Sequence, residues 1–135
     1  MKYMLDTNIC IYIINNKPAG VIERFMALDK NDHVCLSTIT ITELFFGLEK
    51  SQSLKKEQNR LAMITFLSQL EVVSFDENAA MKYGVIRAKL QKKGCVIGNN
   101  DMLIASHAQS INAVLVTNNE REFDRVEGLK VENWV

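Results

Sequence analysis

Short apolar segments alternate with helix-like stretches along the whole chain, and this alternation limits the possible folds more than any other feature. Strands that are separated by helices pair in parallel, and the helices then cover both faces of the sheet. The pattern therefore predicts an α/β fold, a three-layer α/β/α sandwich with a central, mostly parallel sheet, in one domain spanning residues 1–135. The predicted strands are Lys2–Leu5, Val34–Leu36, Val72–Phe75, Ala113–Val116 and Leu129–Val131.

Several predicted helices are bounded by residues that commonly start or stop a helix. Pro18 opens a helix whose apolar period continues to Asp32, and Thr40–Glu43 has the S/T-x-x-E form of a capping box. Asp76 is predicted to cap a helix that stops at Gly94. The other predicted helices are Ile9–Ile14, Lys56–Leu70 and a helix from Asp101, capped by Asn99 or Asn100.

Charge and hydropathy exclude some classes of protein. The chain has 16 Lys plus Arg against 16 Asp plus Glu, and a net charge of zero argues against non-specific coating of nucleic acid. The longest apolar run, Ile9–Ile14, is far shorter than the ~20 residues of a membrane helix. Asp6 interrupts the region where a signal peptide would be apolar. We predict a cytoplasmic protein with no membrane partner.

The cysteines and histidines do not have the spacing of a zinc site. Cys10, Cys35 and Cys95 each have apolar neighbours and form no C-x-x-C pair, so we predict small buried side chains. His107 lies among alanines in a predicted helix and receives no functional role.

Three acidic residues are predicted to reach the same edge of the sheet. Asp6 follows the first strand, Glu43 lies near the start of a helix, and Asp101 starts another. Each has a purely structural explanation, since Asp6 can be an N-cap, Glu43 part of the capping box, and Asp101 a partner of the helix dipole. Together, three converging carboxylates repel each other unless a cation lies between them, and oxygen ligands favour Mg²⁺ or Mn²⁺. Such a site can activate water to cut a phosphodiester.

Motifs of competing chemistries are absent from the sequence. It contains no dinucleotide-binding, P-loop, metalloprotease or serine-hydrolase motif. Phosphoryl transfer through Asp6 is a weaker alternative, because Asp6-Thr7-Asn8 lacks a second acid two residues after the first.

A stretch without acidic residues, from Met81 to Gly94, contains five basic side chains. It is either a solvated helix face or a phosphate-binding ridge beside the acidic residues. If it is the ridge, Arg87 and Lys93 are the candidate RNA-binding residues.

Four segments and the C-terminus carry a resemblance to a known family. They are Met4-Leu5-Asp6-Thr7-Asn8, Ser37 to Glu43-Leu44, Ile97-Gly98-Asn99-Asn100-Asp101 with Ile104-Ala105, Val116-Thr117-Asn118-Asn119 with Glu122-Phe123, and Glu132-Asn133-Trp134. With these segments in order and at family-like spacing over essentially the whole chain, the protein resembles a PIN-domain ribonuclease, specifically a VapC-type toxin of a type II toxin-antitoxin system.

The resemblance implies an activity and a set of site residues. Asp6, Glu43 and Asp101 would be the Mg²⁺-binding carboxylates of an endoribonuclease that cuts single-stranded RNA and leaves 5′-phosphate and 3′-hydroxyl ends, with Mn²⁺ able to substitute. The position of the family's fourth acid falls at Asn119, which leaves one or two metal ions open. Asn119 could hold a metal-bound water, Glu120 or Glu122 could replace the acid, or the second ion could arrive only with the substrate. Supporting roles are implied for Thr7, Asn8, Ser37 and Thr117.

The resemblance also implies partners. The substrate would be RNA, in particular tRNA cut in an anticodon loop to inhibit translation, and a cognate antitoxin would neutralise the toxin. A homodimer is expected, with the apolar faces of the helices at Ile9 and at Leu44-Phe45-Phe46 as candidate interfaces. Because Asn119 replaces an acid, a catalytically silent RNA- or protein-binding module with the same fold is the alternative.

Overall fold

A computed structural model describes all residues, 1–135. It contains five strands and seven helices. In chain order they are β1 (Lys2–Leu5), α1 (Thr7–Ile14), α2 (Ala19–Met26), β2 (His33–Ser37), α3 (Thr38–Lys50), α4 (Lys56–Ser68), β3 (Glu71–Val73), α5 (Glu77–Lys93), α6 (Asn99–Ser110), β4 (Val114–Val116), α7 (Glu120–Phe123) and β5 (Val131–Glu132).

The strands form one sheet in the order β3-β2-β1-β4-β5, and every neighbouring pair is parallel. In the centre, Met4 pairs with Cys35 of β2 on one side and with Leu115 of β4 on the other. The chain moves outward in one direction from β1 to β3 and then returns to place β4 on the other side of β1. Ligands of such sheets bind where the strand order reverses, beyond the carboxyl ends of the strands. That position lies between β1 and β4.

Both faces of the sheet are covered, which confirms the predicted three-layer fold. Side chains of β1 alternate between the faces, since Tyr3 and Leu5 belong to one buried cluster and Met4 belongs to the other. The first cluster contains Phe66 of α4, and the second contains Ile104 of α6. None of the helices combines the length and the apolar character that crossing a bilayer requires.

Two predicted helix starts are wrong. The capping box at Thr40–Glu43 is not formed, because α3 begins earlier and Ser37 Oγ accepts the N–H of Ile39 at 3.0 Å. Neither Asn99 nor Asn100 caps α6, whose N-cap is Gly98 without a side-chain hydrogen bond. In both cases the helix begins before the predicted first residue, so the polar side chains that sequence patterns mark as caps lie within its first turn.

Other boundaries are confirmed or shifted. Asp76 accepts the N–H of Ala79 at 3.1 Å, and Gly94 ends α5 in the left-handed conformation at φ 70°, as predicted. The helix predicted to reach Asp32 stops at Met26, and the strand predicted at Leu129–Val131 is shifted to Val131–Glu132. The strand predicted at Val72–Phe75 is shifted to Glu71–Val73.

The cysteines are free. Cys10 and Cys35 are buried as predicted, whereas Cys95 is only half-buried because it lies in the loop after Gly94.

Candidate active site

Asp6 is a buried carboxylate just after β1, at the point in the sheet where the strand order reverses. It is 6% exposed, and its Oδ1 accepts the backbone N–H of Thr7 at 2.8 Å as the N-cap of α1. Its Oδ2 accepts the hydroxyl of Thr117, the residue after β4, at 2.7 Å. Burial raises the pKa of Asp6, while these two hydrogen bonds lower it and the charge of Glu43 raises it. The hydrogen bonds therefore hold a carboxylate in a place that disfavours its charge.

Glu43 lies in the second turn of α3 and is half-buried. The hydroxyl of Thr7 donates to its Oε1 at 2.6 Å, and the amide of Asn100 approaches its Oε2 at 3.4 Å. Thr7 thus contacts two acids, through its N–H to Asp6 and through its hydroxyl to Glu43. The capping explanation of Glu43 does not apply, since Ser37 caps this helix.

Asp101 lies in the first turn of α6 and is also half-buried. The pKa of Asp101 is raised from 3.8 to about 7, first by burial and next by a hydrogen bond with Glu122. The charges of Asp6, Glu122 and Glu43 raise it further. These four carboxyl groups therefore share one electrostatic environment, which disfavours the charged form of Asp101.

The residues near the position of the family's fourth acid have different contacts in the structure. Glu122 of α7 contacts Asp101, whereas Glu120 accepts a hydrogen bond from the amide of Asn133 at 2.9 Å and faces the C-terminal segment. Asn119 donates its backbone N–H to Thr117 Oγ1 at 3.0 Å. Of the two acids considered as replacements for the fourth acid, only Glu122 joins the cluster.

The other supporting residues differ in position. Thr117 is fully buried and contacts Asp6 directly. Asn8 is exposed and its side chain makes no hydrogen bond, so the structure does not bring it to the acids. Ser37 is buried at the start of α3, where its hydroxyl contacts Ile39 and His107 instead of a carboxylate.

The two candidate RNA-binding residues also differ in their contacts, and only one is connected to the acidic site. Arg87 donates to the hydroxyl of Tyr83 at 2.8 Å, and that hydroxyl donates to Asn99 Oδ1 at 2.5 Å, so Arg87 is connected to the start of α6 beside Asp101. Lys93 instead lies 3.9 Å from a carboxylate oxygen of Glu127. The geometry supports Arg87 more than Lys93 as a cation near the acids.

The sequence analysis did not predict the contacts of two residues in this region. Asn100 contacts Glu43, and His107, which had no predicted role, is fully buried against Ser37. Asn100 belongs to the Asn99-Asn100-Asp101 run quoted above, so a signal for it was present. His107 had none, because its partner lies 70 positions away.

The donor set suits a hard divalent cation. The side chains directed at one another are carboxylates, with no thiolate or imidazole among them, and oxygen ligands favour Mg²⁺ and Mn²⁺. As they stand, no three Asp, Glu, His or Cys side chains are close enough together to hold an ion. Direct binding to all three carboxylates would require them to move toward one another, whereas an ion that keeps some of its waters needs direct contact with only one or two.

Sequence and structure comparisons identify the family. The PIN domain profile matches residues 3–129. Over 134 residues the chain is 48% identical to Ribonuclease VapC2 of Rickettsia felis, and the match covers 99% of this chain and 98% of that protein. The chain belongs to the VapC family of PIN-domain ribonucleases. Nucleases with this domain generally depend on a divalent metal.

Further relatives of the VapC family agree with this assignment. The chain is 46% identical over 134 residues to the tRNA(fMet)-specific endonuclease VapC of Salmonella typhimurium, covering 99% of this chain and 98% of that protein. The crystal structure of VapBC2 from Rickettsia felis bound to a DNA fragment from its promoter aligns with a TM-score of 0.92 at 47% identity, over 100% of both chains.

Proposed function

We propose that the protein is a metal-dependent endoribonuclease toxin in which Asp6, Glu43 and Asp101 hold Mg²⁺ or Mn²⁺. The observation that carries this proposal is the hydrogen-bond network that joins the acids: Thr7 contacts both Asp6 and Glu43, and Asn100, the neighbour of Asp101, contacts Glu43. The pKa of Asp101, raised to about 7 by burial and by the other carboxyl groups, agrees with it. Carboxylates arranged in this way repel one another, and a divalent cation removes that repulsion. Glu122 is the proposed fourth carboxylate.

The chain's own residues orient the acids for cleavage. The hydroxyls of Thr117 and Thr7 fix the orientation of Asp6 and Glu43 through charge-assisted hydrogen bonds of 2.7 and 2.6 Å. A divalent ion held by these residues would activate water as the nucleophile and would place positive charge next to the scissile phosphate. Glu122 lies close enough to Asp101 to raise its pKa, so the two carboxyl groups are placed to share one bound cation.

We propose tRNA as the substrate, cut in a single-stranded loop such as the anticodon loop. Two relatives are named as tRNA(fMet)-specific endonucleases. Loop bases and the loop backbone are accessible to a protein, unlike those in a helical stem. With a net charge of zero, affinity has to come from local cations, and Arg87 is positioned beside the start of α6 to contact phosphate.

The test is cleavage of total small RNA by the purified protein, with Mg²⁺ in one set of reactions and EDTA in the other. We expect discrete cuts with Mg²⁺ only, with 5′-phosphate and 3′-hydroxyl ends at a loop of one or few tRNAs. Binding of RNA that persists in EDTA, with no cleavage by metal-loaded protein, would instead support the silent binding module, which Asn119 at the fourth acidic position motivates.

We propose that an antitoxin inhibits the nuclease by binding an apolar groove next to Glu43. The apolar lining residues of this groove are Ile11, Ile14, Leu44, Leu48 and Met63, and Gly47, Asn15, Ser51, Asn59 and Glu43 complete the lining. This groove meets a second one at Ile14, and the proposed interface extends onto the second groove, which is also lined by Leu61 of α4; Leu61 is 67% exposed. Exposed apolar surface of this kind is typical of a protein interface, and relatives have been solved as VapBC.

Replacing Leu61 with glutamate is expected to weaken inhibition by the cognate antitoxin about 10-fold or more, because it places a charge in an apolar interface. RNA cleavage in the absence of antitoxin should be unchanged. Leu54→Glu is the matched control, since Leu54 is fully exposed in the loop before α4 and lines neither groove. Equal inhibition of the Leu61→Glu variant and the native protein in titrations with antitoxin would contradict this interface.

A homodimer and a cytoplasmic location stay predictions of the sequence. The exposed side chains of Phe45 and Phe46 on α3 agree with the interface expected there, although they are equally available to an antitoxin.

A further inference from the structure

The imidazole of His107 is completely buried on α6, the helix that also carries Asp101. It is 0% exposed, and it lies six residues after Asp101 on the same helix. No carboxylate of the site contacts it through a hydrogen bond. Any effect of His107 on the acids therefore passes through another residue.

The partner of His107 is the residue that starts α3. Its Nδ1 lies 2.7 Å from Ser37 Oγ, and the same oxygen accepts the N–H of Ile39 at 3.0 Å. Because the lone pairs of Ser37 serve the helix N-terminus, its hydroxyl hydrogen is free to be donated to Nδ1. Burial lowers the pKa of His107, against opposing effects of the Asp76 carboxylate and the Ser74 backbone, so the ring accepts this hydrogen bond in its neutral form.

A third segment also meets the ring. Phe75, between β3 and α5, packs its ring edge-on against His107 with 5.5 Å between centroids. The N–H of Phe75 donates to Thr38 Oγ1 at 3.1 Å, in the first turn of α3. His107 is therefore the point where α6, the start of α3 and the end of β3 are joined.

Packing alone does not explain a histidine here. Its Nε2 is buried and makes no hydrogen bond of good geometry, although the Ser74 backbone is close enough to act on the ring, and a poorly satisfied buried polar atom is unfavourable. An apolar side chain of similar size would fill the space without that penalty. What the apolar side chain would lack is the directional contact to Ser37.

We propose that His107 is a positioning residue of the nuclease, which through Ser37 holds the helix carrying Glu43 in a defined position against the helix carrying Asp101. Glu43 lies six residues after Ser37, and Asp101 lies six residues before His107. Each helix is a rigid segment, so one short hydrogen bond between them restricts the separation of the two acids. Small displacements of catalytic groups have large effects on rate. This inference rests on the proposed metal-dependent function.

Two variants of His107 distinguish the role of its hydrogen bond to Ser37 from the role of its side-chain volume. His107→Leu fills the space but cannot bond to Ser37, whereas His107→Asn places an amide where Nδ1 lies and can restore the bond. The native protein and both variants are compared in single-turnover cleavage of RNA, in the KM for RNA, in thermal unfolding, and in Mn²⁺ affinity measured by calorimetry without RNA.

We expect His107→Leu to reduce the cleavage rate and the Mn²⁺ affinity about 10-fold each, as loss of an outer contact to a metal site commonly does, with KM and melting temperature nearly unchanged. His107→Asn should recover most of both losses. In a Ser37→Ala background, His107→Leu should have little further effect, because the shared hydrogen bond is already absent.

The outcomes separate this inference from the proposed function. If the native protein binds Mn²⁺ but cuts no RNA, the proposed function fails, and a weaker Mn²⁺ affinity of His107→Leu still supports positioning. Positioning is overturned if His107→Leu has native Mn²⁺ affinity and native cleavage rate, or if the leucine and asparagine variants lose activity only in proportion to a lowered melting temperature.

Discussion

Replacing Asp101 with asparagine is expected to reduce metal-dependent RNA cleavage about 10³-fold, the scale of losing one preorganised electrostatic group from a catalytic site. The substitution removes one negative charge from a cluster in which Asp6, Glu43 and Glu122 are the other members. Without that charge the cluster binds a divalent cation less strongly and positions it less well. Initial rates on the mapped RNA substrate, at saturating Mg²⁺, measure the effect.

The fold should tolerate this substitution. Asparagine has the size of aspartate, and Asp101 is only half-buried near the start of α6. Asp124→Asn is a matched control, because Asp124 is an exposed carboxylate just after α7 whose side chain makes no ion pair or hydrogen bond. The control is expected to cleave at the native rate. An Asp101→Asn variant that is folded and retains activity within a few-fold of native would contradict the assignment of the site.

The same substitution is expected to stabilise the metal-free protein, by an amount that increases with pH. In the folded chain the pKa of Asp101 is about 7, above its ordinary value of 3.8. Between these two values the unfolded chain has lost the proton while the folded chain retains it. The unfolded state then binds fewer protons, so native stability falls as the pH rises through this window and stays low above it.

The size of this effect follows from the shift. A pKa difference of about three between the folded and unfolded chains corresponds to roughly 4 kcal/mol of unfolding free energy at most. Solvent screening of a half-exposed carboxyl reduces this to about 1–2 kcal/mol. We therefore expect the melting temperature of Asp101→Asn in EDTA to exceed that of the native protein by several degrees at pH 8, with little difference near pH 4.

Divalent cations should make the native protein more stable than the Asp101→Asn variant, the reverse of the order expected in EDTA. An ion that binds only the folded state stabilises it by about 1–3 kcal/mol at 10 to 100 times its dissociation constant, and the native protein gains this more than the variant. Circular dichroism melts at pH 5, 6, 7 and 8, with EDTA or with Mg²⁺, measure both effects. A stability difference that is independent of pH and of Mg²⁺ would show that Asp101 is not part of a coupled carboxylate site.

The parts of the fold that were predicted correctly have local signals. The strand at Lys2–Leu5 has the bounds that its apolar run indicates, and Asp76 and Gly94 limit α5 as expected from N-cap and left-handed C-terminal preferences. The errors occur where two local signals compete. Thr40–Glu43 fits a capping box, yet Ser37 offers a cap about one turn earlier, and its hydroxyl forms the capping hydrogen bond that the structure contains.

The surface of α4 shows a second kind of limit. The apolar period over Lys56–Leu70 predicts a helix, which is present, but it does not say which apolar side chains are buried. Met63 and Phe66 face the core, whereas Leu61 and Ile64 are exposed. Periodicity gives the angle between side chains around a helix and not the direction of the neighbouring sheet.

By itself the sequence determined the order of strands and helices and the three acids at one edge of the sheet. Parallel strands have their carboxyl ends at the same edge of the sheet. Asp6 and Thr117 each follow such a strand, so both residues are expected at that edge. Only the tertiary structure decided that Glu122, and neither Glu120 nor Asn119, joins Asp101, and that His107 contacts Ser37. These contacts depend on distances between helices far apart in the chain, and such distances result from the packing of the whole core, which no local pattern of residues encodes.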